Sequence, residues 1–182
     1  MSKSTDIRAV GATLYFLPVQ TRVPLKFGTE TLTEVTCARA CVRVVDRRGR
    51  IAEGWGETPL SAQWVWPSAL SLAHRTEALK HFCEDLAEAW AKFPETGHAM
   101  ELGHDFQQQL LPQLLAQTNT KRGSEAEPMP WLAALVCCSV FDIALHDAFG
   151  QLTQRPVYST YDAEFMNRDL GDFLEQAGGN AR

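Results

Sequence analysis

The sequence predicts an α+β fold in which a three-stranded antiparallel meander is followed by a three-helix bundle. Apolar and polar residues alternate over residues 35–45, as in a half-buried strand. After Pro67 the apolar residues recur every three or four positions, which is typical of helices. Over residues 130–150 apolar side chains cover nearly every side of a helix, which predicts that this helix is buried. The 182 residues, 45% hydrophobic, suffice for one such domain.

The meander is predicted from three runs. Residues 7–17 are rich in strand formers, residues 35–45 alternate, and residues 51–57 return after a turn that Gly49 closes with a positive φ. Residues 21–33 form a polar insert that contains Pro24. We expect a loop there, and the most mobile internal segment when nothing packs on it.

Two helices are predicted between the meander and the buried helix. The first has an apolar face over residues 79–93 and ends before Pro94. The second is expected to open with Asp105 and Gln108 as a capping pair, and Pro112 should kink or restart it.

The predicted buried helix starts at Pro130 and ends before Gly150. Asp142 and Asp147 lie on it, and we expect both to be structural acids paired with arginine or backbone donors, because an unpaired buried carboxylate is costly. These acids and His146 also favour a core helix over a membrane span.

The charge and cysteine content of the chain indicate which partners and which compartment to expect. Seventeen basic and 22 acidic residues give a net charge of −5, which favours neither nucleic acid nor an anionic membrane as partner. The sequence opens without a secretory leader pattern, so we expect a cytoplasmic protein with five free thiols packed in the core. A thiol enzyme using Cys137 or Cys138 is a minor alternative.

Four pieces of the sequence resemble one family in their order and spacing. They are PLKFG at 24–28, VRVVD at 42–46 with Gly49, GWGETP at 54–59, and FDIALHD at 141–147 with PVY at 156–158. Together they resemble the N-terminal capping domain of the enolase superfamily, in the mandelate racemase and muconate lactonizing group, over residues 5–158. Arg155, His146 and the residues after Val157 depart from that pattern.

The resemblance implies a role in substrate binding. In that family the capping domain closes the mouth of a (β/α)-barrel, and its loops, here 21–33 and 55–63, shape the pocket. Lys26, Phe27 and Trp55 are therefore the expected substrate-binding residues, since an ammonium can meet a carboxylate while aromatic rings exclude water. The family's lyases and isomerases abstract a proton beside a carboxylate with magnesium bound in the barrel.

A barrel needs roughly 250 residues, whereas only residues 151–182 follow Gly150. We therefore expect a capping domain at 5–150 and a linker or tail at 151–182 leading to an absent barrel. No catalytic residue, metal ligand or cofactor is expected in this chain, and magnesium is implied only for the complete enzyme. The expected partners are a barrel domain, in cis or in trans, and a small carboxylate substrate.

Two questions stay open from the sequence. The oligomeric state is undetermined, with a homo-oligomer as one option. The alternative function is a free-standing α+β binding or assembly module, for which the surface that a barrel would cover becomes a partner interface.

Overall fold

The computed structural model describes residues 2–27, 30–123 and 126–173. Three antiparallel strands lie side by side in chain order, and helices cover one face of the sheet. The predicted α+β class and meander are confirmed. The strands are β1 (Ile7–Phe27), β2 (Glu30–Asp46) and β3 (Ile51–Pro59), and the helices are α1 (Ala62–Val65), α2 (Leu72–Lys92), α3 (Ala99–Asp105), α4 (Leu111–Arg122) and α5 (Trp131–Thr153).

The segment predicted as a loop over residues 21–33 is mostly strand. β1 continues to Phe27 and pairs with β2 through Leu25 and Leu32 and through Lys26 and Thr31. The predicted loop is therefore wrong, because cross-strand pairing satisfies the backbone groups that a loop would leave to water. Pro24 lies between Gln20 and Leu25, where the regular pairing of β1 with β2 is interrupted. Its missing N–H therefore removes no regular hydrogen bond between the two strands.

The two faces of the sheet differ as the alternation predicted. Ala38, Ala40, Val42 and Val44 are buried beneath the helices, whereas Arg39 and Arg43 on the same strand are exposed. At the following turn Gly49 has a φ of 77°. The Asp46 carboxylate accepts hydrogen bonds from the backbone N–H groups of Arg48 at 2.9 Å and Arg50 at 2.8 Å, which fixes this turn.

α2 begins earlier than its apolar pattern indicated. The Ser71 hydroxyl oxygen accepts from the His74 backbone N–H at 3.2 Å and caps the helix. Leu79, Phe82, Leu86 and Trp90 form its buried face, as predicted.

The predicted helix start at Asp105 is wrong. His98 caps α3, with its ring accepting from Met100 N–H while Glu101 completes a capping box. A π-helical turn over Phe106–Leu110 then joins α3 to α4, and Pro112 lies in the first turn of α4. Pro112 thus restarts the helix, since a proline cannot donate to the carbonyl four residues earlier.

α5 is the central helix of the core. Eleven of its residues are buried, and it packs mainly on β3. By length and composition α5 could also cross a membrane, but the core helix of a globular protein passes the same test. It continues through Gly150 to Thr153 and is capped by Gln154, which adopts a left-handed conformation at φ 56°, so the predicted end before Gly150 is four residues too early.

The chain after α5 folds back onto α3. Glu101, 3% exposed, accepts hydrogen bonds from the backbone N–H groups of Asn167 at 2.6 Å and Arg168 at 2.8 Å. Arg168 also binds the Asp105 carboxylate through both terminal nitrogens, at 2.8 and 2.9 Å. The proposed domain division at residue 150 stays a prediction.

Candidate functional site

A cleft of about 590 Å³ lies at one end of the sheet. β3 stops at Pro59, opposite Cys37, so the outer halves of β1 and β2 extend as a two-stranded hairpin beyond the third strand. α1 and the first turns of α2 lie against the base of this hairpin. The cleft is lined by Pro18, Val19, Gln20, Glu34, Val35, Thr36, Leu60, Gln63, Leu72, Ala73, Thr76 and Glu77.

The cleft combines apolar and polar groups. Leu60 is buried in its wall, and Val19 and Leu72 are 38% and 42% exposed. Trp64, next to the lining residue Gln63, is 56% exposed. Such large apolar side chains beside a cleft are typical of a surface that contacts a ligand or another domain.

The charges of the cleft are acidic. Glu34 and Glu77 line it, and Glu77 forms an ion pair with Lys80 at 3.2 Å. The lining residues include no basic side chain among those that the structure describes. A carboxylate substrate would therefore need a cation from outside these walls.

Lys26 is an exposed residue near the tip of the hairpin, opposite Thr31. Phe27 ends β1 opposite Glu30, and its side chain lies outside the described part of the structure. The hairpin thus carries the predicted cation at the same end of the sheet as the cleft. The substrate-binding roles of Lys26 and Phe27 stay predictions.

Trp55 lies in the middle of β3, on the outer face of the sheet. Its backbone N–H donates to the Asp147 carboxylate at 2.8 Å, and its ring, 49% exposed, stacks on Tyr15 at 6.1 Å between centroids. Trp55 shares a cross-strand row with Thr13, which is thirteen residues before Lys26 on β1. Because β1 has extra residues between Gln20 and Leu25, the distance is counted on β2, where Cys41 of that row and Thr31 opposite Lys26 are ten residues apart. At about 3.3 Å a residue this is about 30 Å, so the structure does not bring Trp55 and Lys26 together.

The two predicted structural acids differ in their partners. Asp147 accepts from a backbone donor, the Trp55 N–H, as expected. Asp142 instead lies beside His146, with Oδ1 3.8 Å from the ring Nδ1, which is too far for a hydrogen bond. That nitrogen bonds the Asp142 backbone carbonyl at 2.8 Å, so the expected arginine or backbone donor to the carboxylate is not found among the described residues. Burial raises the pKa of Asp142, and the neighbouring His146 opposes this.

The cysteines are structural. All five are free, buried thiols. Cys83, Cys137 and Cys138 are packed in the core, as predicted, whereas Cys37 and Cys41 lie on the outer face of β2, so the prediction is wrong for these two. Burial raises the pKa of both Cys137 and Cys138, which keeps them as weakly nucleophilic thiols. Neither Cys137 nor Cys138 is therefore an activated nucleophile, which argues against the thiol-enzyme alternative.

Metal ligands are not grouped in the described residues. No three His, Cys, Asp or Glu side chains in residues 2–27, 30–123 and 126–173 lie close enough together to hold a metal ion. This part of the chain thus does not fit the magnesium that the family resemblance implies for a complete enzyme.

Comparisons with known proteins describe the fold. No protein-family model matches the sequence. No curated protein matches it significantly. Among solved structures, the chain is similar to an enolase from Bradyrhizobium complexed with magnesium and mandelic acid, at 16% identity and a TM-score of 0.44, over 86% of this chain and 35% of that one.

Two further solved structures are similar to this chain to about the same degree. A mandelate racemase/muconate lactonizing enzyme-like protein from Rubrobacter xylanophilus has 17% identity and a TM-score of 0.42, over 84% of this chain and 33% of its own. A dipeptide epimerase from Cytophaga hutchinsonii, complexed with Mg and the dipeptide D-Ala-L-Val, has 18% identity and a TM-score of 0.44, over 85% and 32%.

The chain therefore spans about a third of the length of these proteins. The resemblance in fold to enolase-superfamily proteins, which the sequence motifs predicted, is found. Structural similarity at these identities and TM-scores concerns the fold alone. The activities of these proteins are therefore not assigned to this chain.

Proposed function

We propose that this chain is the capping part of a magnesium-dependent lyase or isomerase that abstracts a proton beside a carboxylate. Its cleft supplies one side of the substrate pocket, and a barrel domain, in cis or in trans, supplies the catalytic residues and the magnesium ligands. The chain alone is inactive. The observation that carries this proposal is the open cleft between the overhanging hairpin and α1–α2, with Val19 and Leu72 partly exposed in its walls.

The chemistry of the cleft supports a shared pocket. Its walls offer apolar contacts and two acids but no cation, so a carboxylate would be held by Lys26 from the hairpin or by groups of the barrel. The order of the four family-like sequence pieces supports the same assignment. The described residues offer magnesium no ligand group of their own, so no reaction step is assigned to them.

A direct test measures exchange of the α-proton. The purified chain is incubated with Mg²⁺ in D₂O with a panel that includes mandelate and a dipeptide, and the α-proton is followed by NMR. We expect no exchange above the buffer rate. Exchange that copurifies with the chain, and that is lost with a variant of it, would disprove the need for a barrel.

A second test concerns Lys26. In a form that contains a barrel, Lys26→Ala should lower kcat/KM with an unchanged fold, because an anion contact is lost. Lys92→Ala is the matched control, since Lys92 is exposed on α2 and pairs with Glu88 at 3.3 Å. Equal kinetics for the two variants would remove Lys26 from the site.

The second candidate is a free-standing binding or assembly module. The same exposed side chains favour it, since a protein partner could cover them in place of a barrel. A mixing experiment separates the two functions: an isolated barrel domain of the mandelate racemase type should bind the chain by calorimetry if it is a cap. Trp64→Ala should weaken that binding.

A further inference from the structure

The outer face of the sheet, away from the helices, carries an ordered charge pattern. β2 contributes Arg39 and Arg43, and β3 contributes Glu53 and Glu57. Arg39 binds Glu57 through Nε at 2.7 Å, and Arg43 binds Glu53 through Nη2 at 2.7 Å. All four side chains are between 39% and 58% exposed. A row of two positive charges therefore runs beside a row of two negative charges, and both rows remain open to solvent.

An aromatic pair lies at the centre of this face. Tyr15 on β1 and Trp55 on β3 have ring centroids only 6.1 Å apart, although β2 separates their strands. Neighbouring strands are about 4.8 Å apart, so the two rings must lean towards each other across β2. Cys41, which is 9% exposed, lies on this face of β2 between the two strands. An apolar centre with charges around it is the usual arrangement of a protein interface.

We propose that this outer face binds the same face of a second copy of the chain in a two-fold symmetric dimer. A two-fold interface requires a surface that complements itself. When the axis runs parallel to the strands, between β2 and β3, β2 of one copy lies over β3 of the other. Because Arg39 and Glu57 share one cross-strand row, Arg39 then faces Glu57 of the second copy.

The second pair of charges obeys the same rule. Arg43 and Glu53 also share a row, so Arg43 faces Glu53 of the second copy under the same axis. The strands of the two copies run in the same direction, which is the aligned class of sheet packing at about 30°. Four cross-copy ion pairs then surround the two aromatic pairs.

Two other two-fold axes in this face give repulsion. An axis perpendicular to the strands keeps β2 over β2 and sets Arg39 near Arg43 of the second copy. An axis along β2 itself sets Arg39 against its own equivalent. Facing like charges are unfavourable, so the charge order favours the axis between β2 and β3, which joins opposite charges, over these two.

The proposed interface leaves the cleft free. The cleft lies beyond Pro59, at the hairpin end and beneath the sheet, whereas the interface is centred on Trp55. Dimerisation and closure of the cleft by another domain can therefore occur together. The interface is small and rich in exposed charges, so the dimer should be weak and should dissociate as salt is added.

The test uses two single charge reversals and their mixture. Arg39→Glu makes the side chains at positions 39 and 57 of one copy both acidic, and Glu57→Arg makes these two side chains both basic. Each variant alone should fail to dimerise, with a dissociation constant raised about tenfold or more. An equimolar mixture should dimerise, because every cross-copy contact again joins opposite charges while each variant keeps its internal repulsion.

Sedimentation over about 1 µM to 1 mM, a range that covers weak association, gives the masses. Lys92→Glu is the control, since it changes the net charge equally on the remote helix α2, and it should dimerise like the parent. A parent that stays monomeric throughout would overturn the proposal. So would single variants that dimerise normally, or a folded mixture, checked by circular dichroism, that does not recover the dimer.

Discussion

Gly56 lies so close to the backbone of Val140 that a Cβ on Gly56 would be 2.1 Å from the Val140 carbonyl oxygen. Two residues earlier, a Cβ on Gly54 would be 2.0 Å from the backbone nitrogen of Ala148. Both contacts are to backbone atoms of α5, which cannot swing aside as the end of a side chain can. The two glycines therefore set the distance between β3 and α5.

Gly56→Ala should lower the free energy of unfolding by about 2 kcal/mol or more, because the added methyl forces β3 and α5 apart. Urea unfolding followed by circular dichroism measures this change. Gly11→Ala is the control, since its Cβ would meet only the Arg43 Cβ at 3.9 Å, and it should be nearly neutral. Equal midpoints for the two variants would mean that α5 does not rest on β3.

Most of the fold was predictable because its signals are local. Alternation along residues 35–45 and the apolar surface of residues 130–150 each report burial of the segment in which they occur. The hairpin extension was missed because Pro24 and the polar residues around it are equally typical of loops and of exposed two-stranded ribbons. The cap at His98 was missed because histidine is an unusual N-cap residue.

The α3–α5 contact gives a second expectation. A Cβ on Gly103 would be 2.1 Å from Oδ1 of Asp142, so Gly103→Ala must displace this carboxylate. We expect a loss of about 1–3 kcal/mol in unfolding free energy. In an Asp142→Ala background the same change should be neutral or favourable, because alanine is about 1 kcal/mol better than glycine in a helix. Additive effects in this double-mutant cycle would contradict the contact.

Glu101 should hold the segment after α5 in place. Its carboxylate accepts from the backbone N–H groups of His98, Asn167 and Arg168 and from the Asn167 side chain, within 3.0 Å. Glu101→Ala leaves the three backbone donors unpaired and should cost about 3 kcal/mol. Hydrogen exchange should rise first in residues 162–173. The control is Glu88→Ala, at an exposed site, and equal exchange in both variants would show that Glu101 does not hold the segment.

The candidate site was harder to predict than the fold. Its cleft is built from four chain segments, 18–20, 34–36, 60–63 and 72–77, and no local pattern shows that they meet. Lys26, Phe27 and Trp55 came from the family resemblance. Which residues lie near each other in a sheet depends on the register of its strands. Trp55 and Lys26 are far apart because β1 and β2 extend as a hairpin, and the sequence pattern did not reveal this extension.

His98 is a completely buried imidazole with a defined tautomer. Its Nδ1 accepts from the Met100 backbone N–H at 3.1 Å, so the ring proton is on Nε2, which donates to the Thr160 hydroxyl at 2.9 Å. The edge of the ring contacts Phe149 at 4.4 Å between centroids. Burial lowers the pKa of His98 to about 4, although the nearby Glu101 opposes this.

The lowered pKa of His98 should make the fold sensitive to mild acid. The unfolded chain, with a His pKa of about 6.5, binds more protons than the folded chain between about pH 6.5 and pH 4. The contribution of His98 is therefore fully present above pH 6.5 and is lost as the pH falls towards 4, by up to about 3 kcal/mol in unfolding free energy. His98→Asn keeps a side-chain cap acceptor but cannot titrate, so its unfolding free energy should depend less on pH in this window.

His81→Gln is the matched control, because His81 is exposed and its pKa is raised by Glu84, so that variant should keep the parent's acid sensitivity. Urea midpoints at pH 4, 5, 6 and 7 compare the three proteins, and an equal slope for parent and His98→Asn would show that His98 is not the buried neutral group.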